Sequence, residues 1–386
     1  MAGTAHDVLH VAVLLTVGEH PLWTAASLGH TEPVRQLLAD GADVNEKGGR
    51  HGITPLHEAV NRADKQMVLL LLEHKADTSV ESLDGDTALH SAAYALTNYD
   101  VQDGTYSDKL EVIRLLIQYG AKPSVQNNRG ETPLHFAVMK LTGHVEMVRL
   151  ILGAGADTSA ESLEGDTAII TAMQELMLTL KAEDVGFWDH LHKHQSDVLR
   201  VVELLTANGA DVSDTSQYGE TSLHMAAVCG DEAIVRFLLQ KGGDVTVKDN
   251  AGRTPLHGAV AQNREGAFDG QYKVVQLLLK TGADMLEQQD ADGDTPLHVS
   301  ARHSDPDMIR LLLEQGADLS VQNTDGDTPL EISTDGEVRA LLTEAAAAER
   351  CAKCTALAMA HHQRLGGASL LMTLPPELLQ MVQAQM

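Results

Sequence analysis

Three clusters in this 386-residue chain hold side chains that could do chemistry. His190, His192 and His194 stand in FWDHLHKHQSD. On a helix, His190 and His194 would share a face at i, i+4, a spacing that can ligate a metal. No cysteine lies nearby and there is no H-E-x-x-H frame, so a solvated His-rich loop is the favoured reading. Cys351-Ala-Lys-Cys354, followed by His361 and His362, makes half a zinc site. A structural zinc ribbon needs a second cysteine pair, so two thiols on a helix surface account for it. In QDADGDTPLHV (289–299), Asp290, Asp292 and Asp294 mimic the first ligands of a calcium loop. Thr295 then stands where glycine is required and Ala301 where glutamate is required, and the loop fails. The chain has no phosphate-cradling G-x-x-x-x-G-K-[ST] and no G-x-S-x-G elbow. No catalytic residue, cofactor or metal is expected, and the chain reads as a non-enzyme.

Charge narrows the partners. With 28 Lys+Arg against 55 Asp+Glu, the formal charge is −27. Nucleic acid and anionic membranes both need clustered positive charge, so neither is an expected partner. Hydrophobic residues are 43% of the chain, enough for a folded core, but aromatics are only 3%, so small and aliphatic side chains must build it. The three cysteines cannot make a disulfide framework and suit a reducing compartment, the cytoplasm or the nucleus. The apolar run VLHVAVLLTV (8–17) is shorter than the roughly 20 residues that cross a bilayer, and residues 1–19 read as a capping segment.

The elements that must position any site are repeats. A Gly-x-Thr signature recurs at Gly52, Gly85, Gly130, Gly165, Gly219, Gly252, Gly293 and Gly326. Openings such as TPLHEAV at Thr54, TPLHFAV at Thr132 and TPLHVSA at Thr295 follow it, and most units close on an apolar stretch ending in Gly-Ala-Asp, as in VRLILGAGAD (148–157). Proline suits the first turn of a helix, where its missing N–H costs nothing. The threonine before it can cap that helix and bond to the histidine, so His57, His90, His135, His224, His257 and His298 read as structural. The leucine-rich stretch forms a second helix, ended by glycine in a left-handed conformation. One such unit cannot bury its apolar face alone and must stack on copies of itself.

These openings, and the recurring interval of 33 residues, strongly resemble the ankyrin repeat. Eight signatures and a leading unit at Leu22–Asp43 make about nine repeats over residues 20–345. The resemblance implies an all-α solenoid of helix-turn-helix units with β-hairpin fingers. It also implies a non-enzymatic scaffold, expected as a monomer, that binds another protein through finger tips and first-helix faces. The variable finger positions then make the candidate surface: Leu83, Asp84, Asp86, Arg129, Glu131, Leu163, Glu164, Asp166, Tyr218, Glu220, Arg253, Asp292, Asp294, Asp325 and Asp327. Most are acidic, which would steer a basic segment of the partner. Leu83, Leu163 and Tyr218 could supply apolar anchors.

Longer intervals place insertions between the two helices of repeats three, five and seven, near 97–108, 176–197 and 263–271. Tyr99, Tyr106, Phe187, Trp188 and Phe268 lie in or beside them, either as interface anchors on projecting loops or as covers for those loops. Repeat five opens TAIITAM, without proline or histidine, so its first helix is less firmly tied. Residues 346–386 form a helical tail in which Leu374-Pro375-Pro376-Glu377-Leu378-Leu379 resembles the start of an F-box. That likeness implies an alternative role, a substrate-recognition adaptor of a cullin-type ubiquitin ligase, docking through Leu374, Pro375, Glu377 and Leu378.

Overall fold

The computed structural model describes residues 20–97, 105–139, 145–181, 188–261, 268–282 and 284–364. The chain divides into two compact units, Met1–Asp244 and Val245–Met386. Among its described residues the first holds six helix pairs: α1 (Pro21–Leu28) and α2 (Thr31–Ala39); α3 (Pro55–Asn61) and α4 (Lys65–Glu73); α5 (Ala88–Thr97) and α6 (Thr105–Gln118); α7 (Pro133–Val138) and α8 (Val145–Gly153); α9 (Ala168–Lys181) and α10 (Trp188–Ala207); α11 (Ser222–Cys229) and α12 (Glu232–Gln240). The second holds three: α13 (Pro255–Val260) and α14 (Phe268–Leu279); α15 (Pro296–His303) and α16 (Pro306–Glu314); α17 (Pro329–Ile332) and α18 (Gly336–Arg364). Within each unit, first helices pack on first helices (α3 on α5, α5 on α7, α13 on α15), and second helices on second helices (α4 on α6, α6 on α8, α8 on α10). This is the all-α repeat solenoid that the spacing implies.

The core follows from the unit's sequence. Leu56, Ala59 and Val60 of α3, and Met67, Val68, Leu71 and Leu72 of α4, are buried, as are their counterparts in other repeats. Burying each large aliphatic side chain stabilises the fold by about 1.5–3 kcal/mol. Small residues such as Ala59, Ala93 and Ala137 let first helices come close.

In five repeats a histidine clasp fixes the repeat to the next one. The Thr54 N–H donates to His57 Nδ1 at 3.2 Å, and the Thr54 hydroxyl lies 2.8 Å from the same nitrogen. Nε2 lies 3.1 Å from the Asp86 carbonyl of the next finger. A carbonyl can only accept, so the ring proton sits on Nε2 and Nδ1 is the acceptor. His90 and His135 reach the carbonyls of Glu131 and Asp166 in the same way, at 3.1 and 3.0 Å. In the second unit His257 and His298 reach those of Asp294 and Asp327, both at 3.1 Å. The last repeat uses Glu331, whose carboxylate accepts from the Thr328 N–H and hydroxyl, both at 2.8 Å.

Two expectations change. Among the described residues no strand forms. The pairs Gly48–Ile53 and Thr215–Thr221 make isolated bridges, and the fingers are tight turns rather than β-hairpins. The insertions are also not simply loops, because residues 105–108, 176–181, 188–197 and 268–271 are helical. Helices α6 and α9 reach 14 residues and α10 reaches 20, against nine for α4. Lengthening an existing helix carries no nucleation cost, which favours this outcome. His190, His192 and His194 therefore lie on helical backbone. Helix α18 runs through residue 345 without a break, so the tail continues the last repeat's second helix as far as Arg364. No helix among the described residues is long and apolar enough to cross a membrane.

Candidate interaction surface

After the first finger, one short polar side chain and one glycine build the turn. In the finger 127–131, Asn127 Oδ1 accepts from the backbone N–H groups of Arg129 and Glu131 at 2.9 and 3.0 Å. The backbone closes with Gly130 N–H to the Asn127 carbonyl and Asn127 N–H to the Glu131 carbonyl, both 2.9 Å. Gly130 has φ +73°, the left-handed geometry that this bulged turn requires. Ser82, Ser162, Asp249, Asp290 and Asn323 play the part of Asn127 in their own fingers. The Asp290 carboxylate is thus occupied by the backbone N–H groups of Asp292 and Asp294, as a finger requires and a calcium loop does not.

Neighbouring fingers are laced tip to tip. Backbone N–H groups of Leu83, Asn128 and Leu163 donate to carbonyls of His51, Asp84 and Arg129, at 2.8–3.0 Å, and Ala291 and Thr324 donate to Ala251 and Asp292 in the second unit. The lacing holds the variable residues in a row. Leu83 is 67% exposed, Leu163 78% and Tyr218 60%. Asp84, Arg129, Glu164, Arg253, Asp292 and Asp325 are exposed beside them, and Glu220 and Asp327 are half-buried. Asp84 lies 3.7 Å from His51, Arg129 pairs with Glu131 at 2.8 Å, and Arg253 pairs with Asp249 at 2.8 Å.

Three of the acidic candidates already serve the stack. Asp86 Oδ1 accepts from Asn127 Nδ2 at 2.8 Å. Asp294 Oδ1 accepts from Asn323 Nδ2 at 2.9 Å, and its other oxygen pairs with Arg302. Asp166 is buried and Oδ2 accepts from Gln174 Nε2 at 2.9 Å; burial first, with Glu164 nearby, raises its carboxyl above the usual range.

Sequence reading missed part of the surface. Tyr94 on α5 is 54% exposed, and its ring meets the edge of Phe136 at 5.9 Å. His90 packs edge-on against Phe136 and the Arg129 guanidinium lies 5.9 Å over it, so one aromatic cluster joins a finger to two first helices. Leu178, on the added turns of α9, is 60% exposed. Tyr94, Gln174 and Arg302 each stand eight residues beyond the middle residue of their Gly-x-Thr signatures (Asp86, Asp166, Asp294), and aligning the repeats would have found them.

The insertion aromatics divide. Tyr106 is half-buried against the start of α8, and burial pushes its hydroxyl up to about 12. Tyr272 donates its hydroxyl to Asp305, the N-cap of α16, at 2.9 Å; burial first, then that carboxylate, raises its pKa. Each brings the added turn of its own repeat onto the next one. Trp188 and Phe268 open α10 and α14. Tyr99, Phe187, Leu374, Pro375, Glu377 and Leu378 lie outside the described residues. Among the described residues, no group of three or more His, Cys, Asp or Glu side chains could hold a metal ion.

A family model described as ankyrin repeats (3 copies) matches residues 22–103, 193–286 and 264–349, more than half of the chain, and one described as ankyrin repeats (many copies) matches 106–152. The neurogenic locus Notch protein of Drosophila melanogaster is 36% identical over 132 residues, 34% of this chain and 5% of that protein. The neurogenic locus notch homolog protein 1 of Mus musculus is 33% identical over 129 residues, 33% of this chain and 5% of that protein. The Xenopus tropicalis homolog is 37% identical over 108 residues, 28% of this chain and 4% of that protein. The chain thus matches only about a twentieth of the length of these relatives.

Proposed function

Because this chain belongs to the ankyrin-repeat family, whose arrays are protein-interaction scaffolds, we propose that it is a non-enzymatic scaffold whose first unit binds a basic, partly apolar segment of another protein. One observation carries the reading. Of the seven large hydrophobic side chains left exposed among the described residues, six (Leu28, Leu83, Tyr94, Leu163, Leu178 and Tyr218) fall on finger tips or first helices of that unit, and Tyr119 follows the second helix α6. Exposed apolar groups gathered on one kind of position are what an interface core needs. Asp84 and Glu164 flank the leucines, which adds charge attraction for a basic segment and a salt-dependent on-rate.

The test begins with the partner most strongly retained by the full chain, identified by mass spectrometry. Its affinity is then measured for the native chain and for Leu83→Ala, Leu163→Ala and Tyr218→Ala. Each exposed anchor is expected to cost about tenfold, with no loss of thermal stability. Affinity untouched by all three substitutions moves the interface off the fingers.

A further inference from the structure

Two fingers of the first unit are near copies of each other. ADTSVESLDGDTAL (76–89) and ADTSAESLEGDTAI (156–169) agree at 11 of 14 positions, and the changes are Val80 to Ala160, Asp84 to Glu164 and Leu89 to Ile169. Ala-Asp and Gly-x-Thr recur along the chain, but Glu-Ser-Leu followed by an acid stands only in these two places. The structure repeats with the sequence. The Leu83 N–H donates to the His51 carbonyl at 2.9 Å, and the Leu163 N–H donates to the Arg129 carbonyl at 2.8 Å. The hydroxyls of Ser82 and Ser162 accept from the N–H groups two and four residues on, at 3.1–3.3 Å. The Glu81 carbonyl accepts from Lys47 Nζ at 2.7 Å and the Glu161 carbonyl from Gln126 Nε2 at 2.9 Å, so a long side chain of the preceding repeat steadies each copy. Each copy therefore holds one exposed leucine beside one exposed carboxylate in the same backbone geometry, Leu83 with Asp84 and Leu163 with Glu164. The finger between them sets Asn128 and Arg129 at these positions.

We propose that the two copies are paired subsites for one extended segment of a protein partner. That segment carries an apolar residue with a basic residue two positions on, and the same pair again six residues later. The inference rests on the finger-face reading given above and specifies the segment that this face selects. The spacing follows from the lacing. From Leu83 to Leu163 the path runs through Asp84, Asn128 and Arg129. It takes two residue steps of about 3.8 Å and two hydrogen-bonded crossings of about 5.5 Å, so the leucines stand up to about 19 Å apart. An extended segment gains about 3.3 Å per residue and returns a side chain to the same face at every second residue, so six residues match the span. Charge sets the second member of each pair. Asp84 and Glu164 carry the same charge at both subsites, and Asp84 faces water with only the exposed His51 ring at 3.7 Å. Arg129, held by Glu131 at 2.8 Å, lies between the subsites, so the middle of the segment carries no base. Side chains rather than an added strand must do the reading. The tip N–H groups of Leu83, Asn128 and Leu163 are spent on neighbouring fingers, and the Leu83 carbonyl accepts from Asn128 Nδ2 at 2.9 Å.

The experiment uses the full chain and synthetic peptides with a Ser/Thr background. They carry one Leu-x-Lys pair, or two pairs whose leucines lie five, six, seven or eleven residues apart. The six-residue spacing is expected to bind at least about tenfold more tightly than a single pair, because the second contact forms at high effective concentration. Spacings of five and seven turn the leucines to opposite faces and should fall back to the single-pair affinity. Leu83→Ala and Leu163→Ala should cost the six-spaced peptide the same, about tenfold each, and glutamate in place of both lysines should abolish its binding. Two pairs binding no better than one, indifference to spacing, a preference for the helical spacing of eleven, or a loss in only one leucine variant overturns the paired subsites. A captured partner whose affinity falls in both leucine variants, beside peptides that ignore spacing or do not bind, also overturns them and leaves the finger-face reading standing. Partner and peptides alike indifferent to Leu83→Ala and Leu163→Ala sink both.

Discussion

Lowering the pH from 7 toward 4 should unfold this protein well before its carboxylates are fully protonated. The cause lies in the clasps. His57, His90, His135 and His257 all have pKa values lowered, first by burial, and His57 falls to about 4 from 6.5. The unfolded chain takes up a proton at each histidine as pH falls through 6.5, while the folded chain does not until near 4 for His57. Stability is therefore complete above 6.5 and is lost progressively through that window. The His57 shift alone is worth on the order of 3 kcal/mol. Carboxyls modify the lower end of the window. Glu58, Asp166, Asp214 and Asp231 have raised pKa values, so the folded state binds their protons first, which offsets part of the loss. Asp77, Asp157, Asp211 and Asp318 are lowered by bonds from Ser79, Ser159, Ser213 and Ser320, and they subtract stability as pH falls through the carboxylate range. Urea midpoints at pH 7, 6 and 5 read the effect directly. A midpoint that stays level or rises across this range would refute the neutral-clasp account.

Alanine at the finger glycines should separate the crowded positions from the open one. Gly130, Gly293 and Gly165 all have positive φ, +73°, +75° and +79°. Left-handed backbone costs an L-residue about 1–2 kcal/mol wherever it occurs. At Gly130 the new methyl would also lie 2.9 Å from Leu163 N, and at Gly293 it would lie 2.6 Å from Thr324 N. Backbone cannot swing aside as a side chain can, so the next finger must shift, adding about 1–3 kcal/mol as overpacking does. Gly130→Ala and Gly293→Ala should therefore be the severe substitutions. Gly165→Ala, with open space at its methyl, should lose only the left-handed cost. Equal losses at Gly130 and Gly165, by thermal or urea unfolding, would mean that the next finger crowds both glycines alike.

The repeat architecture was legible because every unit repeats the same physical solution. Threonine three residues before histidine, proline between them and a glycine after the leucine run point to the same helix pair each time. The histidines could be set aside as structural on that ground, and the structure adds the carbonyl that His57, His90, His135, His257 and His298 each reach. Exposure was less legible. The acidic finger positions look alike in sequence, yet Asp86, Asp166 and Asp294 are turned into the stack while Asp84, Glu164, Asp292 and Asp325 face water. Asn127 and Asn323, 41 and 29 residues away, hold Asp86 and Asp294 there, and Gln174 holds Asp166. Tyr94 escaped notice because its exposure depends on how its first helix packs beside Phe136, not on local pattern. The added turns of α6, α10 and α14 were read as loops because insertions carry no fixed period to betray a helix.

Hydrogen exchange on the full chain, with and without its captured partner, tests the central claim most directly. Binding through the fingers of the first unit predicts added protection of backbone amides in 82–86, 127–131, 162–166 and 216–220, with the second helices unchanged. Protection confined to α2, α4, α6 and α8, leaving the fingers as they were, would contradict it.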